Sequence, residues 1–309
     1  MKRKKKAGSL SKFRALLKYE LLWNLRKRKF QAIFIIAIII QIVSIMVPVL
    51  LSYAANQSIR PDPYHTLSSP SGLILFLFAI AVGMNTIPEE FEHGRAHILF
   101  SKPVSRSLIF LAKIVSAIII LISAYIILYI TGLALSITIY GPQYYVYLAP
   151  ILILGTLLST IVYLSIVFFL GAASKSSIIA ALGSFGILIG LGITIGVLGA
   201  FAGQAWIADY IPSQGNSGMI IDNISIQTGT DALGAILSQF AINHNANVNV
   251  TYIVGVQLGS LGQTPTFYTE SQIMPIVQIA LRALGVVSVY TILLMLGAWI
   301  LFKRTEIKE

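Results

Sequence analysis

Apolar residues in this chain gather into six long runs separated by shorter polar segments. A helix needs roughly 20 residues to cross the hydrocarbon of a bilayer, where backbone groups must be hydrogen-bonded within their own segment. The runs therefore predict six transmembrane helices and an all-α integral membrane protein. They lie at Phe30–Leu51, Gly72–Ile87, Leu108–Ile130, Leu148–Leu170, Ile178–Phe201 and Pro275–Phe302.

Residues 1–29, ahead of the first run, combine a basic tail with an amphipathic pattern. The apolar stripe at helical spacing consists of Leu10, Phe13, Leu17 and Leu21. We assign the opposite, polar face to Lys12, Arg14, Lys18 and Glu20. This pattern predicts a helix that lies in the membrane interface. It is either a plain anchor or an elbow helix that moves with the membrane domain, and the pattern leaves both open.

The composition excludes a soluble protein. Of 309 residues, 56% are hydrophobic and 11% are charged, with no cysteine and a net charge of +11. Soluble domains usually carry about 25% charged residues, so this chain has too little charge to cover a soluble surface. Disulfides and thiolate metal sites are excluded because cysteine is absent.

Lysine and arginine are concentrated in alternate loops. The N-terminus, the loops after the second and fourth runs and the C-terminal tail are basic, whereas residues 204–274 contain no Lys or Arg. Cytoplasmic loops of membrane proteins carry the excess of positive charge. We therefore expect a multi-pass protein of the plasma (cytoplasmic) membrane with both termini in the cytoplasm. Attraction to anionic membrane lipid explains the basic N-terminus, and no nucleic-acid partner is predicted.

The same pattern divides the chain into segments. After residues 1–29, residues 30–203 hold helices 1–5 with cytoplasmic loops, residues 204–274 form an external segment, and residues 275–309 hold helix 6 and a cytoplasmic tail. Within the external segment, Asn247–Val254 alternates as a strand does, and we expect Asp231 to cap a short helix that runs to Phe240. Glycosylation sequons begin at Asn56, Asn223 and Asn249.

Six glycines crowd the fifth run, at positions 183, 186, 190, 192, 196 and 199. Glycines let helix backbones approach closely in lipid. We favour packing within the chain over a subunit interface as their role.

Sequence motifs for catalysis are absent. The chain has no GxxxxGK[ST], GxSxG or HExxH motif, so we predict that it is not an enzyme and binds no nucleotide itself. His93 and His97 are one helical turn apart without a third ligand, so no metal site is predicted. Arg282, one turn after Gln278, falls near the external end of the last run. It either snorkels to the interface or contacts an anionic substrate or lipid head group.

A charged segment after the second run is built for docking a partner protein. Pro88 suits the first turn of a helix and Glu89 and Glu90 suit its positive end. We expect this helix to run to about Phe100, where Pro103 breaks it. Ser105 then caps the third transmembrane helix.

This segment resembles the one between the second and third helices of ABC-2 type transporter permeases. The matching residues are Glu90, Glu92, Gly94, Leu99, Ser101, Pro103, Val104, Ser105, Arg106 and Lys113. Arg95 and Ala96 depart from the small polar and acidic residues that usually follow the glycine. LLKYELLWNLRKRKF is similar to the N-terminal elbow helix of the family, and Gly171–Gly183 is similar to its second cytoplasmic turn.

The resemblance implies a permease that pairs with a second permease subunit, as a homo- or heterodimer. It also implies a cytosolic ATP-binding cassette subunit, which binds ATP and Mg²⁺, so that this chain carries no cofactor. We expect an exporter whose path lies between the two halves, lined by helices 1, 2 and 5. The alternative is a membrane scaffold or sensor with an external ligand-binding segment and a cytoplasmic docking loop. The residues expected to contact the ATPase are Glu89, Glu90, Glu92, His93, Gly94, Arg95, Leu99, Ser101, Pro103, Val104, Ser105, Arg106 and Lys175.

Overall fold

Helices dominate the computed structural model. It describes residues 9–26, 28–58, 61–68, 70, 72–92, 104–220, 224–257 and 266–304. The helices are α1 Ser9–Leu25, α2 Arg28–Ala54, α3 Gly72–Gly83, α4 Pro88–Glu92, α5 Arg106–Tyr140, α6 Ala149–Ser174, α7 Ser177–Ala202, α8 Leu233–Ile242 and α9 Ile276–Arg304.

Within the described residues, six helical stretches are long and apolar enough to cross a membrane, which confirms the six predicted runs. Turn residues 84–87 join α3 and α4 into one such stretch, Gly72–Glu92. The helix built on the third run is longer than predicted, because α5 continues past Ile130 until Gly141 adopts a positive φ of 88°. The central helices are those of Gly72–Glu92 and Val146–Ser174, about two thirds or more buried, whereas α2 and α7 are mostly exposed.

The six stretches alternate in direction and so define two ends of the molecule. We call the end that holds α1, α4 and the last turn of α9 the basic end, and the opposite end the sheet end. The helix α1 packs against α5 at the basic end. The prediction that Glu20 lies on the polar face of α1, away from the protein, is wrong, because Glu20 is only 4% exposed.

The described residues between 204 and 274 form a subdomain at the sheet end. Its antiparallel sheet consists of β1 Ser217–Ile220, β2 Ser225–Gln227, β3 Asn247–Gln257 and β4 Thr266–Pro275, in the order β2-β1-β3-β4. The predicted strand at Asn247–Val254 is confirmed as part of β3. Its alternation buries Val248, Val250 and Tyr252 under the sheet.

The short helix α8 packs along α6, where two glycines allow the backbones to touch. A Cβ on Gly155 would stand 2.6 Å from the Cα of Gly234. Asp231 does not cap α8 as predicted. It lies in the 3-10 turn Thr230–Ala232 just before α8, and its carboxylate points to α6 instead.

Most glycines of the fifth run do not pack within the chain. Apart from the adjoining residues and backbone of α7 itself, no atom of the described residues lies within 4 Å of the place where a Cβ would stand on Gly186, Gly190, Gly192 or Gly196. Gly183 and Gly199 do have neighbours, Leu170 and Ala205. The expected packing role within the chain is therefore wrong for four of the six glycines, which lie at open positions on α7.

Candidate functional site

Buried ion pairs attach the short helix α4 to its neighbours. Lys113 of α5 places its ammonium 2.8 Å from Glu20 Oε1 of α1 and 2.9 Å from Glu90 Oε1 of α4. The Lys113 side chain is 1% exposed, and those of Glu20 and Glu90 are 6% and 12% exposed. Removing one partner from such a site leaves an uncompensated buried charge. Lys113 thus connects three helices that are far apart in the sequence.

A second link joins α4 to the first turn of α7. The Glu92 carboxylate accepts a hydrogen bond from the backbone N–H of Ser177 at 2.5 Å and another from the Ser177 hydroxyl at 2.8 Å. Ser176 is the N-cap of α7, so Glu92 lies where the free N–H groups and the positive end of the helix dipole favour an anion. Glu92 and Ser177 belong to separate cytoplasmic loops in the sequence prediction, and the fold brings them together.

Aromatic rings complete the junction around α4. The Lys175 ammonium lies 5.8 Å from the centre of the Phe91 ring, within the range of a cation–π contact. Lys175 ends α6 in the left-handed region, with a φ of 57°. On the other side, the Trp23 indole donates to Glu89 Oε2 at 3.5 Å.

The start of α5 is capped and attached to the end of α9. The predicted N-cap is confirmed, since Ser105 Oγ accepts from the Leu108 N–H at 3.3 Å. Arg106 donates to the Lys303 carbonyl at 2.9 Å, and the Trp299 indole donates to Ser107 Oγ at 3.3 Å. Val104 packs against the main core. The basic-end junction, as we call the contacts of Glu20, Glu90, Glu92, Arg106, Lys113 and Ser177, therefore reaches α1, α5, α7 and α9.

Part of the predicted docking segment lies outside the described residues. This applies to six of the expected contact residues: His93, Gly94, Arg95, Leu99, Ser101 and Pro103. The predicted continuation of the helix to Phe100 and the pair His93 and His97 lie there too. No group of three or more potential metal ligands occurs among the residues that are described.

Arg282 belongs to a polar network at the sheet end. Its guanidinium forms an ion pair with Asp209 at 2.8 Å, and the two side chains are 10% and 0% exposed. Within the described residues, its Nε and Nη2 atoms lack hydrogen bonds of good geometry, so the contact is chiefly ionic. Asp209 also accepts from Asn216 Nδ2 at 3.1 Å, and Thr228 Oγ1 donates to it at 2.5 Å. Gln278, one turn earlier on α9, is exposed.

A second buried carboxylate joins the subdomain to α6. The Tyr163 hydroxyl donates to Asp231 Oδ1 at 2.7 Å, and the Ser159 hydroxyl donates to the Thr230 carbonyl at 2.5 Å. Burial raises the pKa of Asp231 to about 6, although hydrogen bonds from Tyr163 and Thr230 act in the opposite direction. The predicted sequon residues Asn56 and Asn249 are exposed at this same end, and Asn223 lies outside the described residues.

Sequence reasoning missed the central role of Glu20, and a signal for it was present. Glu20 is the first acidic residue of the chain, in a segment otherwise rich in lysine and arginine. It also falls on a helical stripe with Phe13 and Asn24, the side of α1 that packs inward. Lys113 was noted only as part of the motif. No local signal pairs it with Glu20, because 93 positions separate them.

Comparison with known proteins agrees with this architecture. Among curated proteins, none matches the chain with significance. The sequence profile described as ABC-2 family transporter protein matches residues 14–307. That span includes all six membrane-crossing stretches, the basic-end junction and the sheet subdomain. The chain therefore belongs to the ABC-2 family of transporter proteins, as a multi-pass membrane permease that is not itself the ATPase.

Proposed function

We propose that this chain is the membrane-spanning half of an ATP-driven exporter, with its basic end in the cytoplasm. A separate ATP-binding cassette subunit docks on the segment from Pro88 to Arg106 and on the turn at Lys175. ATP and Mg²⁺ bind to that subunit and not to this chain. The observation that supports this most directly is the attachment of α4 to α1, α5 and α7 through Glu90, Lys113 and Glu92.

The junction would convert a push on the docking segment into movement of whole helices. α4 continues from α3 across the turn at residues 84–87, and Glu92 ties it to the first turn of α7. A load on α4 therefore acts on α3, α5 and α7 together, as a rigid-body change requires. ATP-driven closure of the ATP-binding subunit would supply this load, because that subunit contacts the two conformations of the permease differently.

A second permease subunit completes the transporter in this proposal. The membrane-crossing parts of α2 and α7 are the least covered by the rest of the chain, together with α9. The uncovered surface of α7 carries two separate pairs of open glycines, Gly186-x-x-x-Gly190 and Gly192-x-x-x-Gly196, and this spacing lets two helices approach closely in lipid. The export path would lie between the two halves.

Single-cysteine variants test the orientation, because the natural chain has no cysteine. In intact cells, an impermeant maleimide should label Asn249→Cys and should label Ser105→Cys only after the membrane is opened. The reverse pattern would refute the proposed orientation.

Co-purification tests the partner. A tagged chain, expressed with its candidate ATP-binding subunit, should retain it in equal amount. The variant Arg95→Glu/Lys175→Glu should lose it while still reaching the membrane.

Vesicles turned inside out should accumulate cargo only with ATP outside if the direction is export. The alternative scaffold or sensor would bind a partner of another class, or keep the same partner in the charge-reversed variant.

A further inference from the structure

A cavity of about 140 Å³ lies between α2, α5 and α6, in the half of the molecule nearer the sheet end. We propose that it binds an uncharged polyhydroxyl group of about one sugar ring, either as a free polyol or as the head of a lipid. The site lies within one chain, apart from the path proposed between two halves, and does not depend on the docking of an ATPase.

Three buried polar atoms at this cavity make no hydrogen bond of good geometry with the described residues: Gln41 Oε1, Thr66 Oγ1 and the Tyr129 hydroxyl. The Thr66 and Tyr129 hydroxyl groups lie close enough to interact with each other, and both face the cavity. Thr66 is 8% exposed. Most buried side-chain polar atoms in proteins are paired, and unpaired ones call for a specific explanation. All three line the same space, so one ligand that offers several hydroxyl groups would satisfy them together.

Gln41 is positioned for this role. It lies midway along α2, about 20 Å from either end at 1.5 Å per residue, where polar side chains are costly and usually functional. Its Nε2 donates to the Leu128 carbonyl at 3.0 Å, which leaves Oε1 as the free acceptor. A Cβ on Gly132 would stand 2.4 Å from Gln41 Nε2, so the glycine makes room for the amide.

The lining favours an uncharged ligand. Among the described residues that line the cavity there is no Lys, Arg, Asp or Glu, and His65 contributes the one imidazole. That ring is engaged, since Nδ1 lies 3.4 Å from Asp62 Oδ2 and the ring stacks on Tyr140 at 4.4 Å. A phosphate or an ammonium would therefore enter without a countercharge, which is unfavourable away from water.

The rest of the wall matches the two sides of a sugar ring. Ser44, Ser136 and Thr156 add hydroxyl groups, while Ile45, Leu128 and Leu152 provide apolar surface. At ~30 Å³ per water the space also suffices for several water molecules. Water is therefore the competing occupant that the experiment must separate from a ligand.

The roof of the cavity is ordered by contacts between two loops. Gln143 accepts from the Thr66 N–H at 3.2 Å and donates to the Asp62 carbonyl at 3.0 Å. Tyr140 donates to the Ile45 carbonyl at 3.2 Å, which joins α5 to α2 beside the same opening. These bonds hold Thr66 in place without using its hydroxyl, so that group stays available to a ligand.

The test uses the full chain in phosphatidylcholine nanodiscs, with empty nanodiscs as background. Radiolabelled glucose represents a free polyol, octyl β-glucoside a polyol on an alkyl chain, and octylphosphocholine the same chain with a charged head. We expect saturable binding of octyl glucoside near one per chain, with no competition by octylphosphocholine. Binding of glucose as well would identify a free polyol as the source, and its absence would identify a lipid head.

Variants assign the binding to the cavity. Thr66→Val and Tyr129→Phe each remove one hydroxyl group that makes no hydrogen bond of good geometry with the protein, so both should fold, and each should weaken octyl glucoside binding at least tenfold. Thr138→Val removes an exposed hydroxyl from the same helix α5 and should leave binding unchanged. No saturable sugar binding would mean ordered water only and would overturn the proposal. Equal competition by octylphosphocholine, or unchanged binding in both variants, would overturn it too.

Discussion

Glu92 and Ser177 are 85 positions apart, yet one carboxylate accepts both the backbone N–H and the hydroxyl of the serine. The bond joins the segment that follows the second membrane crossing to the start of the fifth. Because the acceptor lies at a helix N-terminus, charge and geometry favour the same contact. Any load on α4 is thereby shared with α7, the helix whose outer face carries the open glycines.

Loss of Lys113 should be severely destabilising. Lys113→Met removes the buried ammonium that Glu20 and Glu90 share, and breaking a buried pair costs about 3–5 kcal/mol. The midpoint of thermal unfolding in detergent should fall clearly below that of the natural protein. The variant Lys113→Met/Glu20→Gln/Glu90→Gln should recover much of the loss because it removes all three charges. A triple variant no more stable than the single one would show that packing, and not charge, dominates at this site.

Glu92→Ala should impair transmission more than stability. Glu92 is exposed, so the loss of a helix-end carboxylate should cost no more than about 1 kcal/mol. In the proposed complex, an environment-sensitive dye on Phe201→Cys, at the far end of α7, should lose its response to ATP while ATP hydrolysis persists. Glu92→Gln retains an acceptor for the Ser177 N–H and should keep part of the response. An intact response in Glu92→Ala would remove this contact from the transmission route.

The pair of Asp209 and Arg282 should stabilise the sheet subdomain on α9. Arg282→Met leaves Asp209, which is 0% exposed, without a countercharge, and we expect a loss of about 3 kcal/mol or more. Gln278→Leu, at an exposed position one turn earlier on the same helix, should change stability by less than about 0.5 kcal/mol. Thermal unfolding measures both. Equal, small effects of the two changes would mean that the ion pair adds nothing to the attachment.

Asp231 should make the protein less stable as the pH rises from acid to neutral. Its pKa is about 6 in the folded chain against 3.8 for the free side chain, so between these values the folded state holds a proton that the unfolded state has released. Stability therefore falls as pH rises through this window, by ~3 kcal/mol in total. Asp231→Asn, which keeps an acceptor for Tyr163, should flatten this dependence in thermal unfolding between pH 4 and pH 7. The same slope in both proteins would contradict the assignment.

Structural features that follow from a local sequence pattern could be predicted, and features that depend on contacts between distant residues could not. The six crossings follow from the length of the apolar runs, the cap at Ser105 from the proline two residues before it, and the strand from alternation at Asn247–Val254. No local sequence pattern predicts that Glu20 and Glu90 share Lys113. Glu20 was assigned to the wrong face of α1, because an acidic side chain was expected to be solvated and its partner Lys113 was unknown.

The sheet-end sites show the same division. Arg282 was correctly placed near one end of its helix, but its partner Asp209 lies 73 positions earlier, in a segment whose contacts cannot be read from the local sequence. The unpaired atoms of Gln41, Thr66 and Tyr129 likewise belong to three separate segments. A cavity forms where side chains from several segments leave space between them, so no single segment of the sequence predicts it.

The bridging ammonium of Lys113 also dictates an order of events during synthesis. Glu20 emerges from the ribosome 93 residues before Lys113, so α1 cannot be locked in place until the third crossing has entered the bilayer. The first helix made therefore reaches its final contacts only after three of the six crossings have been synthesised.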